Sequence, residues 1–235
     1  MGRARATPRL SDEALRAIYD QQYVDIYDPH AVRRIRRLLP LVALPPAASV
    51  ADFGCGNGVL LELLSPRVRE YVGVDFSAPF IREAERRRAT RGILNGTFVC
   101  DDIAAFCARH PARFDAGFAL DVLEHVYDDQ LVAICRAIHG ALKPGAPLYV
   151  HTPNAEYVLE RLHAWGVLAP VEGHVAVRDA GAYRALLAES GFRHVDVRYV
   201  PHYLRLAGAL HPLGRLPLVG RRFRARLFLT CWKDP

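Results

Sequence analysis

The sequence predicts a single α/β domain, an open and mostly parallel sheet with helices on both faces. Three observations carry this. Short apolar runs alternate with amphipathic, helix-length stretches from Ser49 to Val200, the rhythm of strands joined by crossover helices. A glycine-rich loop, Gly54-Cys55-Gly56-Asn57-Gly58, follows the first apolar run directly. The chain has 235 residues, 51% of them apolar, enough for one substantial core.

The elements follow in order. Residues 1–10 form a basic tail, and residues 11–46 an N-terminal helical cap. Ser11 caps its first helix, and Asp12 and Glu13 suit the first turn. Leu15, Ile18, Tyr19, Tyr23 and Ile26 recur at helical spacing. Asp28-Pro29 restarts the pattern, with Val32, Ile35, Leu38, Leu39 and Val42 as the buried stripe. Strands are expected at 49–53, 70–75, 97–100, 114–120 and 147–151, with helices at 59–64, 80–91, 104–108 and 129–142 between them. A helix at 180–189 runs from Asp179 to Gly191. Strands at 195–200 and 226–232 close the domain of residues 47–235. Residues 153–178 break the alternation and read as an insert over the carboxyl ends of the strands, where ligands bind.

The bulk properties exclude several classes. The formal charge of +6 favours an anionic partner only weakly. The arginines cluster at Arg33 to Arg37, Arg86 to Arg88 and Arg221 to Arg226, which fits solvated faces, a membrane surface or nucleic acid. None of the five cysteines is spaced as CxxC, so they read as buried thiols of a reducing compartment. The basic start has no apolar run behind it, and no uncharged stretch reaches membrane-spanning length. A cytoplasmic location is therefore expected.

Two cofactor classes use a glycine-rich first loop beside an acid on the second strand. A dinucleotide site needs GxGxxG, and here Val59 stands where its third glycine belongs. Asp52, just before the loop, would repel a pyrophosphate. It suits the ammonium group of an amino-acid-containing cofactor, while Asp75 suits two ribose hydroxyls. This chemistry favours S-adenosylmethionine.

With these residues in place, the chain resembles the class I S-adenosylmethionine-dependent methyltransferases. Asp52 to Gly58 matches that family's first motif, and Val72-Gly73-Val74-Asp75-Phe76-Ser77 its second. Val99-Cys100-Asp101-Asp102-Ile103 is similar to the third, with Asp101 where glycine is common. Phe114-Asp115 and Leu120-Asp121-Val122-Leu123-Glu124-His125-Val126 are similar to the fourth, and Leu142-Lys143-Pro144-Gly145 to the turn before the fifth strand. The resemblance implies a Rossmann-like, seven-stranded sheet ending in an antiparallel strand. His151-Thr152-Pro153-Asn154 and Gly173-His174-Val175 are similar to the quinone-biosynthesis O-methyltransferases, though other small-molecule O- and N-methyltransferases share these words.

The resemblance implies a cofactor site of Asp52, Gly54, Cys55, Gly56, Asp75, Phe76, Asp102, Ile103 and Leu120. By register Asp102 reaches the adenine amine; its alternative is to cap the following helix. Phe76 and Ile103 sandwich the ring or belong to the core. His125, just past the fourth strand, is the candidate base for a hydroxyl acceptor. Its alternative is a structural hydrogen bond in the turn. Tyr19, Tyr23, His151 and His174 are the candidate acceptor-binding residues. His125, His151 and His174 invite a metal, but their spacing is wide and no acid joins them, so none is expected.

The expected reaction is O-methylation of a small, apolar or aromatic metabolite. N-methylation, RNA methylation and cofactor binding without transfer are the alternatives. Against RNA, the chain lacks a stacking surface of aromatic and basic residues. The segment from Tyr203 to Arg226 interleaves leucines with arginines. It suits an anionic membrane interface, a lid over a greasy acceptor, or plain packing.

Overall fold

The computed structural model describes residues 9–19, 24, 31–169, 171 and 173–235. Helix α1 (Asp12–Ala17) begins at the expected cap, where Ser11 Oγ accepts from Ala14 N at 3.1 Å. Helix α2 (Ala31–Arg36) runs into a 3₁₀ turn at Leu39–Leu41. Ala31, Ile35, Leu38 and Val42 are buried, three or four residues apart, as one helix face requires. Tyr23, Ile26, Tyr27, Asp28 and Pro29 lie outside the described residues.

Then β1 (Ser49–Phe53), α3 (Val59–Leu64), β2 (Glu70–Asp75), α4 (Ala78–Thr90), β3 (Gly96–Cys100), α5 (Ile103–Ala108), β4 (Ala116–Leu120), α6 (Asp128–Ala141) and β5 (Pro147–Pro153) alternate. They are followed by α7 (Val158–Ala164), α8 (Ala180–Glu189), β6 (Arg193–Val200), α9 (Arg205–Ala209) and β7 (Arg226–Trp232). The expected bounds hold to within two residues, and the unforeseen α7 lies within the insert.

The seven strands form one sheet in the order β3-β2-β1-β4-β5-β7-β6. The first five are parallel, and β7 runs antiparallel between β5 and β6. This is the Rossmann-like arrangement with a final antiparallel strand. Every residue of β1 is buried, Ser49 and Asp52 included, as expected of a central parallel strand covered on both faces. The edge strand β6 carries charge instead, at Arg193, Asp196 and Arg198.

Topology places the site. After β3 the chain returns to the other side of β1, so β1 and β4 part at their carboxyl ends and open a crevice. The insert leaves β5 at that same edge. So does the stretch between β6 and β7, because both β5 and β6 run opposite to β7. The two segments touch: the rings of Tyr157 and His202 stack with centroids 6.0 Å apart, and Asn154 Nδ2 donates to Arg224 O at 2.7 Å.

All five cysteines are free, and Cys100 departs from expectation by being exposed on β3. Among the described residues, no helix is long and apolar enough to cross a membrane.

Candidate active site

A cavity of about 300 Å³ opens at the carboxyl ends of β1, β2 and β4. Its floor is the glycine loop. Gly54 N and Cys55 N both donate to Val74 O, at 2.8 and 3.0 Å, which folds the loop back against β2. Gly54 and Gly58 have φ of +76° and +75°, the left-handed region that glycine enters without strain. A Cβ on Gly54 would strike Val122, and one on Gly58 would lie 2.7 Å from Phe98 Cζ.

Asp75 stands at the end of β2. Its two oxygens accept from Gly56 N at 3.0 Å and Ser77 N at 2.9 Å. The carboxylate therefore shapes the loop as well as facing the cavity. Burial raises its pKa, against the pull of those two backbone donors. Phe76, Asp102 and Ile103 line the same wall. Asp102 also caps α5, accepting from Ala104 N at 2.9 Å and Ala105 N at 3.2 Å, the alternative role weighed for it.

Asp52 and Leu120 line a smaller recess beside Gly54 and Cys55, and Arg34 of α2 completes it. Asp52 accepts a hydrogen bond from Tyr71 Oη at 2.5 Å. Burial pushes its pKa up to about 7, the tyrosine hydrogen bond opposes this, and the Asp75 charge adds to it.

His125 sits on a 3₁₀ turn, Leu123–His125, one step past Asp121 and Val122 in the cavity wall. Its Nδ1 lies 2.9 Å from Gly173 O. A carbonyl only accepts, so Nδ1 carries a proton, and in the neutral ring the lone pair lies on Nε2. Tyr19 meets His125 edge-on at 5.7 Å and Phe76 at 5.6 Å, bridging two sides of the cavity. The main chain of Tyr19 is tied down as well, since Ser77 Oγ donates to its carbonyl at 2.8 Å. Tyr23 lies outside the described residues.

His174 packs against His125 with ring centroids 5.0 Å apart. Burial, reinforced by the His125 and Arg226 charges, lowers its pKa to about 3 and keeps it neutral. His151 requires a correction as an acceptor-binding residue. It is 1% exposed and held on both sides, with Nδ1 3.0 Å from Asp121 Oδ1 and Nε2 accepting from Arg226 Nε at 3.1 Å. Both ring nitrogens are committed, so no polar atom of the ring is left for an acceptor.

Several residues of the site are not singled out by the sequence, although Asp121 lies within the stretch similar to the fourth motif. Asp121 has φ of +58°, and its carboxylate gathers Arg34 Nε at 3.0 Å, Arg226 Nη2 and His151. Burial opposes ionisation there, but these partners hold Asp121 well below the usual carboxylate range. Arg178, 6% exposed, donates to Leu123 O and Val126 O, each at 2.7 Å, and so holds the turn that carries His125. Gln130 and Ile134 of α6 line the far side of the cavity.

Among the described residues, Glu124, His125 and His174 bring ligand atoms within 4.8 Å of one another, close enough to hold a metal ion. Glu124 takes the place in this trio that the sequence spacing offered to His151. It is buried, and its Oε1 has no hydrogen-bond partner.

A family model described as a methyltransferase domain matches residues 25–197. The chain belongs to that family. This methyltransferase is similar to the ubiquinone biosynthesis O-methyltransferase of Xanthomonas campestris pv. campestris, 32% identical over 127 residues, 53% of this chain and 52% of that one. The corresponding Xylella fastidiosa protein is 31% identical over 198 residues, 72% of this chain and 76% of its own. The chain spans about half the length of the first of these relatives. Among solved structures, phosphoethanolamine N-methyltransferase 2 of Haemonchus contortus, in complex with phosphomonomethylethanolamine and S-adenosylhomocysteine, shares the fold. Its TM-score is 0.68 at 16% identity, covering 97% of this chain and 61% of that one. Family, motifs and cavity agree on an S-adenosylmethionine-dependent methyltransferase.

Proposed function

We infer that this methyltransferase methylates a hydroxyl of a small, apolar or aromatic acceptor, with His125 receiving the hydroxyl proton. The observation that carries this reading is the contact of His125 Nδ1 with Gly173 O at 2.9 Å, which puts the lone pair of the neutral ring on Nε2, in the wall of the cavity that Asp75 and the glycine loop define. The sulfonium of the cofactor is already a strong electrophile. The protein has to align oxygen, methyl carbon and sulfur, exclude water and take one proton. The oxygen–carbon bond forms as the carbon–sulfur bond breaks, and sulfur leaves as a neutral thioether. The names of the O-methyltransferase relatives agree with this reading.

For the cofactor, the reading places adenine between Phe76 and Ile103, near Asp102, and the ribose hydroxyls at Asp75. The methionine end lies along the glycine loop with its ammonium toward Asp52, whose own recess of about 20 Å³ has room for about one water. RNA is the weaker reading. Arg86, Arg87 and Arg88 of α4 pair with Glu83, Glu62 and Glu85 at 2.6 to 3.0 Å, which spends much of that basic cluster internally. The reading extends to a peripheral membrane contact through the stretch from Tyr203 to Arg226. That stretch holds five arginines before β7 and no acidic residue, and it exposes Leu204, Leu210, Leu213, Leu216, Leu218 and Val219.

The test is methyl transfer from labelled cofactor into organic-extractable phenols and, separately, into RNA and amines. His125→Gln is expected to lower the rate on the hydroxyl acceptor by roughly 10²- to 10⁴-fold while cofactor affinity stays near wild type. Undiminished transfer in that variant removes His125 as the proton acceptor.

A second reading rests on Glu124 Oε1, buried without a hydrogen bond, 4.0 Å from Arg226 Nη2 and beside His125 and His174. A divalent cation held by these three would satisfy it and draw an acceptor hydroxyl toward ionisation. Loss of transfer after dialysis against a chelator, restored by the metal alone, would favour this reading. Full activity in chelator would favour the proton acceptor alone.

A further inference from the structure

We propose that Gly173 is a positioning residue for the transfer. Its carbonyl sets the tautomer of His125, and its missing side chain lets the N-terminal cap close against the insert across that ring. The inference rests on the reading in which His125 Nε2 faces the acceptor.

Three observations meet at this residue. First, Gly173 O is the acceptor for His125 Nδ1 at 2.9 Å. With that nitrogen protonated, the lone pair of the neutral ring lies on Nε2. A side-chain carboxylate often orients an imidazole this way; here a backbone carbonyl does so and adds no negative charge. Second, Gly173 has φ of +78°, and a Cβ built on it would lie 2.7 Å from Tyr19 Oη and 3.1 Å from His125 Nδ1. A methyl group there would displace the tyrosine, the imidazole or the carbonyl that joins them. Third, the insert grips the His125 turn on both sides of this contact. Val175 N and Ala176 N each donate to Glu124 O at 3.1 Å, and Arg178 donates to Leu123 O and Val126 O. With the residues that follow it fixed, the segment is limited in how far it can shift away from an added side chain, so a change at Gly173 is passed to His125.

The contact also explains what Tyr19 does, just past α1. Its ring stands edge-on to both Phe76 and His125, and its hydroxyl occupies the space that a Cβ at position 173 would need. Cap and insert come together over the reacting end of the cavity, and glycine is the residue that permits the approach.

The experiment reads the tautomer directly. The full-length protein, labelled with ¹⁵N-histidine and saturated with S-adenosylhomocysteine, is studied by long-range ¹H–¹⁵N correlation in alkaline buffer, where an imidazole is neutral. His125 is assigned by loss of its signals in His125→Gln. The expected wild-type pattern is Nδ1–H with bare Nε2. Gly173→Ala is expected to shift His125 toward Nε2–H and to slow single-turnover transfer roughly tenfold or more, with affinity for S-adenosylhomocysteine within about twofold of wild type. An Nε2–H tautomer in the wild-type protein overturns the inference, and needs no variant to fold. So does a Gly173→Ala protein that keeps both the wild-type tautomer and the wild-type rate. The two readings fail separately: the acceptor assay on His125→Gln tests whether the ring takes the proton, and the ¹⁵N spectrum tests only what holds the ring.

Discussion

Tyr71 donates its phenolic proton to Asp52 across 2.5 Å, and both side chains are shut inside the sheet. The carboxyl group is left with a pKa of about 7 against an ordinary value of 3.8, chiefly because burial disfavours the charge. A raised folded-state pKa means that the native protein binds more protons than the unfolded chain between these values. Its stabilising contribution is therefore complete below pH 3.8 and is lost as pH rises toward about 7. Urea unfolding of the cofactor-free protein should show stability falling over that interval. Asp52→Asn should flatten the slope and raise stability at pH 8, by roughly 4 kcal/mol as an upper bound. The proposed ammonium partner favours the carboxylate, so cofactor affinity should rise with pH through the same interval and then level. Calorimetry in buffers of different ionisation enthalpy would register the released proton. An affinity that falls as pH rises rules out Asp52 as the ammonium partner.

Asp75→Ala should weaken S-adenosylmethionine binding by about 1.5–3 kcal/mol, roughly 10- to 150-fold, if both ribose hydroxyls donate to it. The loss has two sources, because the same carboxylate holds Gly56 N and Ser77 N. Asp75→Asn keeps the shape and part of the acceptor capacity, and should fall between. Calorimetric titration of the three proteins decides, and wild-type affinity in Asp75→Ala would move the ribose elsewhere.

Arg226→Ala should cost stability far more than it costs cofactor affinity. It removes one of the cations on buried Asp121 and strips His151 Nε2 of its donor. Breaking a buried pair on one side costs about 3–5 kcal/mol, which a thermal melt reads as a large drop in Tm. His151→Gln should likewise lower Tm and leave the acceptor KM close to wild type. A raised KM with an unchanged Tm would return His151 to the acceptor site.

Binding to vesicles should require anionic lipid and weaken with salt. Arg215, Arg221 and Arg222 are the exposed arginines to change together to Gln. Arg224 is less suited, since its Nε donates to Gly214 O at 3.0 Å and its guanidinium lies over the Tyr199 ring. Leu218, 95% exposed, supplies the apolar arm, and Leu218→Asp should reduce sedimentation with vesicles at every salt concentration. No association with vesicles of any composition would leave this stretch as a lid or as packing.

What the sequence discloses and what it withholds divide along one physical line. Asp52, the glycine loop and Asp75 are legible because strand, turn and helix start are local, and their chemistry needs particular residue types at fixed spacing. Ser11, Asp102 and Asp179 are legible as caps for the same reason, each accepting from the backbone of its own helix. Arg34, Arg178 and Arg226 are not, because each reaches the site only through tertiary pairing. In the sequence they look like any other arginines in a chain with many. His151 misled for the complementary reason. Its place at the end of β5 is right for a site residue, but the partners that occupy both nitrogens come from β4 and β7.

Strand β7 follows the other six in sequence, yet it lies inside the sheet. Because β7 lies between β5 and β6, the ribosome has to make β5, β6 and the stretch that follows them before Arg226 can reach Asp121, 105 residues earlier. Until then β5 has an open edge, β6 has nothing to pair with, and Asp121 lacks one of its neutralising partners. Contacts this distant in sequence slow folding and prolong exposure of unpaired strand edges. The nascent chain can therefore build the glycine loop and its acids before β7 exists, but the charge balance around Asp121 waits for Arg226, so closing the sheet and neutralising Asp121 are one event.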